Sequence, residues 1–313
     1  MPAYNGERHI RESIESILHQ TFQDWELIVV NDGSTDGTVA AVAEYHDPRL
    51  RYTAQPNGGF TAAMNSAFKL VRGRYVAYQA QDDVSVPTRL EQSVAFLETH
   101  PEYELVHSAA IFIDVNGQEF SRWGGTGRQL SRPEAFYRLY LEGPAIATPT
   151  TLMRTRHLGS GSFWGDPALR VCSDFEHWLE VAHDFLIHEI PEPLAKMRRG
   201  AGHEYLSAQI EVVHRELATI LRRVYVRYRT DALPVTRRHF RIAMSNLRLQ
   251  ESEYHFRRHA HGRALGSFVL AAAESRNPQV WRTAAYALLP RRVIDTLAPV
   301  ARRLWKSRAT RAD

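Results

Sequence analysis

The chain has 313 residues, of which 44% are apolar, and this length and composition suit a globular protein of one large or two smaller domains. Its single cysteine, Cys172, excludes an internal disulfide, and no Cys and His cluster has the spacing of a structural zinc site. No apolar run approaches the length of a transmembrane helix, and the first residues are too highly charged for a signal peptide. We therefore expect a cytoplasmic protein.

Charge divides the chain into two parts. Residues 1–205 contain 18 Lys and Arg against 27 Asp and Glu, whereas residues 206–313 contain 21 against 8. The strand signal also stops near residue 205, and long basic amphipathic helices follow it. We therefore predict an α/β domain over 1–205 and a basic helical C-terminal region over 206–313.

Strand and helix patterns alternate through the first part. Apolar residues at helical spacing, such as Ile10, Ile14 and Ile17, predict helices, and short apolar runs such as WELIVV predict buried strands. The predicted elements are helices at 10–18, 39–43, 60–68 and 87–99, and strands at 25–30, 51–55, 75–80, 104–114 and 147–155. Because such alternation requires crossover connections, we predict a mostly parallel sheet flanked by helices.

Polar residues follow three of these strands, and open parallel sheets bind ligands outside the carboxyl ends of their strands. After WELIVV, Asp32 can accept from a base N–H or a ribose hydroxyl, while Asp36 is predicted to cap a helix. The next motif, PNGGF, either lets the backbone approach a ligand closely or forms an ordinary turn. The third strand leads to Asp82 and Asp83, and such carboxylates with substrate phosphates are typical Mg²⁺ or Mn²⁺ ligands.

These motifs together resemble the family 2 glycosyltransferases, which have the GT-A fold and use nucleotide-diphosphate sugars. The resemblance begins at MPAYNGERHIRESIESILHQ, continues through NDGSTDGT, NGG and GRYVAYQAQDD to VPTRLE, and covers about residues 1–205. It implies a GT-A fold in which Asp32 contacts the nucleotide base. The other residues that it places in the nucleotide pocket are Pro2, Tyr4 and Asn5.

The acidic motif matches this family only in part. The resemblance implies that Asp82 contributes to nucleotide-sugar binding and that Asp83 is the metal ligand, but many members have Asp in place of Ala80 and Arg in place of Met64. The sugar donor is therefore left unassigned. A nucleotide-sugar-binding or scaffold protein that has lost catalysis stays open as an alternative function, whereas a nucleotidyltransferase would have a Gly-rich, Arg-containing N-terminal signature that this chain lacks.

A helix is predicted over CSDFEHWLEVA (172–182), with Ser173 and Asp174 at its N-terminus. Either residue could cap the helix and favour its dipole. The segment is also similar to the family's acidic motif before a Trp, which implies that Asp174 is the general base, with Glu176 as the next candidate. Inverting transfer needs such a base, because the acceptor hydroxyl loses its proton as the diphosphate leaves from the opposite face.

Two later segments carry further predictions. PEPLAKMRRGAGHEYLS (191–207) is similar to the family's loop that ends in a His near a Ser, which implies that His203 completes the metal or diphosphate shell. Arg198 and Arg199 are candidate diphosphate partners. In 291–306 apolar and basic residues separate onto two faces, which is typical either of a solvated helix or of one lying on an anionic membrane. No motif supports nucleic-acid binding.

Family members usually carry a short apolar strand just before the segment that matches MPAYN, so we expect an upstream start or a sheet that lacks most of this strand. The resemblance implies an inverting hexosyltransferase of cell-envelope polysaccharide synthesis that depends on Mn²⁺ or Mg²⁺. Its acceptor would be a glycan or a lipid-linked sugar. One interpretation of the basic helices places it peripherally at the inner face of the cell membrane.

Overall fold

The computed structural model describes residues 1–127, 129–157, 164–166, 168–199 and 210–275. The strands are β1 (Pro2–Ala3), β2 (Leu27–Asn31), β3 (Leu50–Ala54), β4 (Tyr75–Ala77), β5 (Val84–Ser85), β6 (Tyr103–Ile113), β7 (Glu119–Trp123), β8 (Leu152–Arg154) and β9 (Leu186–Arg198). The α-helices are α1 (Ile10–Leu18), α2 (Thr38–Ala43), α3 (Phe60–Phe68), α4 (Arg89–Thr99), α5 (Arg132–Glu142), α6 (Ser173–Asp184), α7 (Ile210–Tyr228), α8 (Arg237–Arg257) and α9 (His261–Ser275). The predicted α/β class with C-terminal helices is confirmed.

The first sheet is parallel, in the order β1-β2-β3, with Pro2 opposite Val30. Side chains of β2 alternate between two apolar layers, as the period of a strand requires. Leu27 and Val29 pack with α1 and α2, whereas Ile28 and Val30 pack with α3. This two-sided burial explains why LIVV (27–30) is a continuous apolar run rather than an alternating one.

The second sheet has the order β4-β8-β6-β9-β5, with β7 paired to β6. Its β6–β9 pair is parallel, but its other pairs are antiparallel. Apolar periodicity carries no information about strand direction, so the sequence could not predict these antiparallel pairings. Leu97 of α4, Val106 of β6, Leu152 of β8 and Leu194 of β9 form the core beneath this sheet.

The strand predicted at 75–80 ends at Ala77, and residues 78–83 lead directly to β5. Asp82 and Asp83 therefore lie in a connection between two strands of the second sheet. Asp32, in contrast, directly follows β2 of the parallel sheet, as predicted.

Two compact units divide the chain. The first comprises residues 1–139 and 144–216, and the described part of the second comprises 140–143 and 217–275. In the second unit, Tyr140 donates to the Leu221 carbonyl at 2.9 Å, and Ser245 of α8 donates to the Ala271 carbonyl at 3.0 Å. The domain boundary near residue 205 stays a prediction. Within the described residues no helix has the length and apolar character to cross a bilayer, and 291–306 lies outside them.

Candidate active site

A cavity of about 1070 Å³ in the first unit collects the predicted site residues. Its lining includes Pro2, Tyr4, Asn5, Asp32, Asp82, Asp83 and Asp174. These side chains come from strand ends and one helix start that are far apart in sequence, and the fold brings them together. His203, the remaining predicted metal ligand, lies outside the described residues.

The Gln81 side chain joins the segment after β1 to the acidic motif by forming two hydrogen bonds with the Tyr4 backbone, as a neighbouring strand would. The Tyr4 N–H donates to Gln81 Oε1 at 2.8 Å, and Gln81 Nε2 donates to the Tyr4 carbonyl at 3.0 Å. A Cβ at Gly6 would lie 2.5 Å from Gln81 Oε1, so glycine makes this close approach possible. The Tyr4 residue is 48% exposed, which leaves its ring available to a ligand.

Asp32 organises the glycine loop. The residue is 3% exposed, and its carboxylate accepts hydrogen bonds from Gln55 Nε2 at 2.7 Å and from the N–H groups of Gly58 and Gly59 at 3.0 and 2.8 Å. Gly59 has a φ of 84°, a conformation that favours glycine. The loop lines the cavity, so it is more than an ordinary turn: Asp32 holds its backbone at the site.

Asp36, predicted as a helix cap, lies one residue before the Gly37 that occupies the N-cap of α2. Its Oδ1 accepts from the Thr38 N–H at 3.0 Å and its Oδ2 accepts from the Glu7 N–H at 3.1 Å. The carboxylate therefore holds the start of α2 and also joins this turn to the segment after β1.

Arg198 of β9 fixes the acidic pair. Asp83 is 2% exposed and its Oδ1 accepts the backbone N–H of Arg198 at 2.8 Å, while the Arg198 Nε donates to the Asp82 carbonyl at 3.0 Å. Arg198 itself is 1% exposed and also donates to Asp114 and Glu12, so its guanidinium is not free for a diphosphate. The prediction for Arg198 is therefore corrected, whereas Arg199 does line the cavity.

A buried polar network supports the backbone that carries this pair. Arg89 of α4 is 1% exposed and donates to Gln79 Oε1 at 3.0 Å, Ser85 Oγ at 2.8 Å and the Tyr78 carbonyl at 2.8 Å. Burial lowers the pKa of Arg89 to about 10, and the Asp83 carboxylate opposes that shift. The network was not predicted, although Gln79 within the apolar strand predicted at 75–80 is a signal of a buried partner.

Asp174 is the second residue of α6. The N-cap of this helix is Cys172 and makes no side-chain capping bond, so the alternative in which Ser173 or Asp174 caps it is wrong. Asp174 Oδ2 accepts from Thr148 Oγ1 at 2.8 Å, and Oδ1 accepts from the Phe175 N–H at 2.8 Å. Burial raises the pKa of Asp174, and these two hydrogen bonds oppose the rise.

Glu216 of α7 holds the segment that leads into α6. Its Oε1 accepts from the Arg170 N–H at 2.7 Å, and its Oε2 accepts from the N–H groups of Val171 and Cys172, both at 2.9 Å. Thr61 of α3 fixes the same segment by donating to the Leu169 carbonyl at 2.9 Å. Sequence reasoning missed Glu216, because nothing local to α7 shows that its carboxylate reaches residues more than forty positions earlier.

The cavity is negatively charged near Tyr78, where the acidic pair and Asp174 come together. Burial raises the pKa of Tyr78 well above its ordinary value, and the carboxylates of Asp82, Asp83 and Asp174 add to that rise, while Arg199 opposes it. A divalent cation would suit this charge. In the part of the chain that the structure describes, no three metal-ligating side chains cluster, but Mg²⁺ commonly binds through only one or two carboxylates plus phosphates. Asp82 and Asp83 fit that pattern.

Comparison with known proteins gives consistent matches. The sequence model described as glycosyl transferase family 2 matches residues 1–159. The Bacillus subtilis protein EpsE is 40% identical over 126 residues, which are 39% of this chain and 45% of EpsE. The Escherichia coli protein WfgD, named as a UDP-Glc:alpha-D-GlcNAc-diphosphoundecaprenol beta-1,3-glucosyltransferase, is 34% identical over 118 residues, which are 36% of this chain and 47% of WfgD. The chain thus spans less than half of either relative.

A solved structure extends the match in fold. The mannosyltransferase PcManGT from Pyrobaculum calidifontis, solved in complex with GDP-Man and Mn²⁺, has a TM-score of 0.53 and 20% sequence identity. The similarity covers 99% of this chain and 81% of PcManGT. At that identity the match establishes a shared fold.

Proposed function

The chain belongs to glycosyl transferase family 2, and on this basis we propose that it moves a sugar from a nucleotide-diphosphate donor to a glycan or lipid-linked acceptor, with inversion at the anomeric carbon. The observation that carries the proposal is the single cavity that contains Asp82, Asp83 and Asp174 together with the residues after β1 and β2. Sugar transfer needs both a site that neutralises a diphosphate and a base for the acceptor.

The nucleotide would occupy the part of the cavity lined by Tyr4, Asn5 and Asp32. The exposed Tyr4 ring offers a face for stacking with a base, and the glycine loop held by Asp32 lets the ligand approach its backbone. The relatives support a nucleotide-diphosphate sugar, but they name UDP-Glc in one case and GDP-Man in the other. Identification of this chain's sugar therefore requires a donor screen.

Asp83, with Asp82 beside it, would hold a Mn²⁺ or Mg²⁺ ion, and His203 would complete the shell. Such an ion, when bound, stabilises the negative charge on the leaving diphosphate. The presence of Mn²⁺ with the nucleotide sugar in PcManGT supports this assignment. Arg199 lines the same cavity, and its guanidinium suits the diphosphate oxygens.

Asp174 would act on the acceptor. Its carboxylate takes the proton of the acceptor hydroxyl as that oxygen bonds to the anomeric carbon, and the bond between this carbon and the diphosphate breaks with its electron pair on the diphosphate. Attack from the face opposite the diphosphate inverts the configuration. The proton then leaves Asp174 for solvent, which restores the base. The buried position of Asp174 favours proton uptake, because burial raises its pKa.

The C-terminal region would bring the protein to the inner face of an anionic membrane, where a lipid-linked acceptor would lie. Residues 217–275 carry eleven Arg against four acidic residues. On α9, Leu265, Val269 and Leu270 are exposed, and so is Arg263. Exposed apolar residues within a basic helical region are typical of proteins that bind anionic lipid surfaces.

The test is a screen of UDP- and GDP-sugars with Mn²⁺ and a sugar-diphosphoundecaprenol acceptor, with the anomeric configuration of the product read by NMR. We expect one donor to give a product of inverted configuration. Donor binding without transfer would favour the scaffold alternative, and a product of retained configuration would contradict the role of Asp174. Pyrophosphate release from a nucleoside triphosphate would instead indicate a nucleotidyltransferase.

A further inference from the structure

A hydrogen-bonded chain of three side chains ends at Asp174. The indole Nε1–H of Trp178 donates to Thr148 Oγ1 at 3.1 Å, and Thr148 Oγ1 donates to Asp174 Oδ2 at 2.8 Å. An indole nitrogen only donates, so the threonine oxygen must accept from Trp178. The single hydroxyl proton of Thr148 is then directed at the Asp174 carboxylate. Trp178 therefore determines the orientation of the Thr148 hydroxyl.

Packing makes this chain rigid. Thr148 is 6% exposed and begins a short 3-10 helix (Thr148–Thr150), and its carbonyl accepts from the Thr151 hydroxyl at 2.8 Å. Trp178 is 2% exposed and packs edge-on against Trp164, with ring centroids 5.2 Å apart. Neither Thr148 nor Trp178 can leave this hydrogen-bonded arrangement without opening the core, so the Thr148 hydroxyl stays bonded to the Asp174 carboxylate.

We propose that Thr148, oriented by Trp178, is the positioning residue for the general base: it holds Asp174 Oδ2, while the Phe175 N–H holds Oδ1, so that the carboxylate keeps one orientation towards the acceptor hydroxyl. This inference rests on the proposed function. It assigns to Thr148 a role beyond filling space, since a valine would have nearly the same volume but could neither accept from Trp178 nor donate to Asp174.

The same contact affects proton binding. Burial raises the pKa of Asp174, and the Thr148 hydroxyl, the Phe175 N–H and the charge of Arg199 oppose that rise. Asp174 in turn adds to the raised pKa values of Tyr78 and Cys172. Removal of the Thr148 hydroxyl therefore raises the pKa of Asp174 further. Because the base works only when deprotonated, the acidic limb of the pH profile must move to higher pH.

The experiment compares three variants of the full chain. Thr148→Val removes the hydroxyl and keeps the volume, and Thr148→Ser restores it. Thr150→Val is the matched control, because Thr150 is also buried in the same 3-10 helix but donates to the Ala147 carbonyl at 2.7 Å and not to Asp174. Each is measured for donor affinity, melting temperature and the pH dependence of kcat/KM for sugar transfer.

For Thr148→Val we expect at least about a tenfold loss of kcat, since small misplacements of a reacting group have large effects on rate. We also expect an acidic limb at higher pH than in the parent, with unchanged donor affinity, and recovery of both rate and limb in Thr148→Ser. If Thr148→Val and Thr150→Val have the same rate and pH profile, the inference is overturned while the proposed function stands. If the parent protein itself transfers no sugar, the proposed function fails and the inference fails with it.

Discussion

Replacement of Glu216 by Gln tests how the segment before α6 is held. The carboxylate accepts three backbone N–H groups, two at Oε2 and one at Oε1. A glutamine that places its carbonyl oxygen at the Oε2 position keeps two of these bonds, but its NH₂ group faces the Arg170 N–H. The lost bond is to a charged acceptor in a buried setting, and such bonds contribute about 1.5–3 kcal/mol.

We therefore expect Glu216→Gln to lower the free energy of unfolding by about 2 kcal/mol, or the melting temperature by about 4–8 °C. Calorimetry measures this loss, and a transfer assay measures its effect on the site. The rate should fall about tenfold to a hundredfold because the start of α6 carries Asp174. The control is Glu211→Gln, which removes the same charge from an exposed position of α7. Equal melting temperatures and rates for the two variants would refute the reasoning.

Three further predictions concern the metal, a glycine and the membrane. Asp83→Asn keeps an oxygen that can accept the Arg198 N–H, so the fold should persist. Calorimetry should show loss of Mn²⁺-dependent nucleoside-diphosphate binding. Unchanged affinity would exclude Asp83 as a ligand of the metal ion. Gly33→Ala should lower the melting temperature of the protein more than Gly117→Ala. Both glycines have a positive φ, but only at Gly33 would a Cβ lie against backbone, 2.8 Å from the Asn57 nitrogen. Equal melting temperatures for the two variants would contradict this. The full chain should sediment with anionic vesicles, less so as salt rises, whereas a chain ending near residue 285, which lacks the amphipathic segment 291–306, should bind less. Equal sedimentation would exclude that segment as a membrane contact.

Sequence patterns and the family resemblance located candidate residues that the fold brings to one cavity. Asp32 follows a continuous apolar strand, and Asp82 and Asp83 are adjacent, so both features can be recognised before any tertiary contact is known. The residues that hold these side chains in place could not be predicted from sequence patterns. Glu216 and Thr148 reach their partners only through the fold, and threonine or glutamate at such positions has no local signature.

Helix capping shows another limit of sequence patterns. The spacing that placed Ser173 and Asp174 at the start of a helix was right, but a pattern defines a helix end only within a residue or two. The N-cap is Cys172, so Asp174 lies inside the helix rather than at its cap. Its carboxylate accepts a hydrogen bond from Thr148 instead. Arg198 is a similar case, because its nearness to Arg199 in sequence did not reveal that the two guanidinium groups have different surroundings.

The most direct test of the account is sugar transfer by Asp174→Asn. The NH₂ group of asparagine would face either the Phe175 N–H or the Thr148 hydroxyl, so one hydrogen bond is lost and the melting temperature should fall about as much as in Glu216→Gln. Asparagine otherwise keeps the volume and one oxygen acceptor, so donor affinity should stay close to that of the parent. It cannot take a proton, and a positioned base contributes roughly 10²–10⁴-fold, so the rate should fall by at least about a hundredfold. Glu176→Gln, the control in the same helix turn, should lose much less, since Glu176 is not among the residues that line the cavity. Transfer by Asp174→Asn at nearly the parental rate would contradict the assignment of Asp174 as the base.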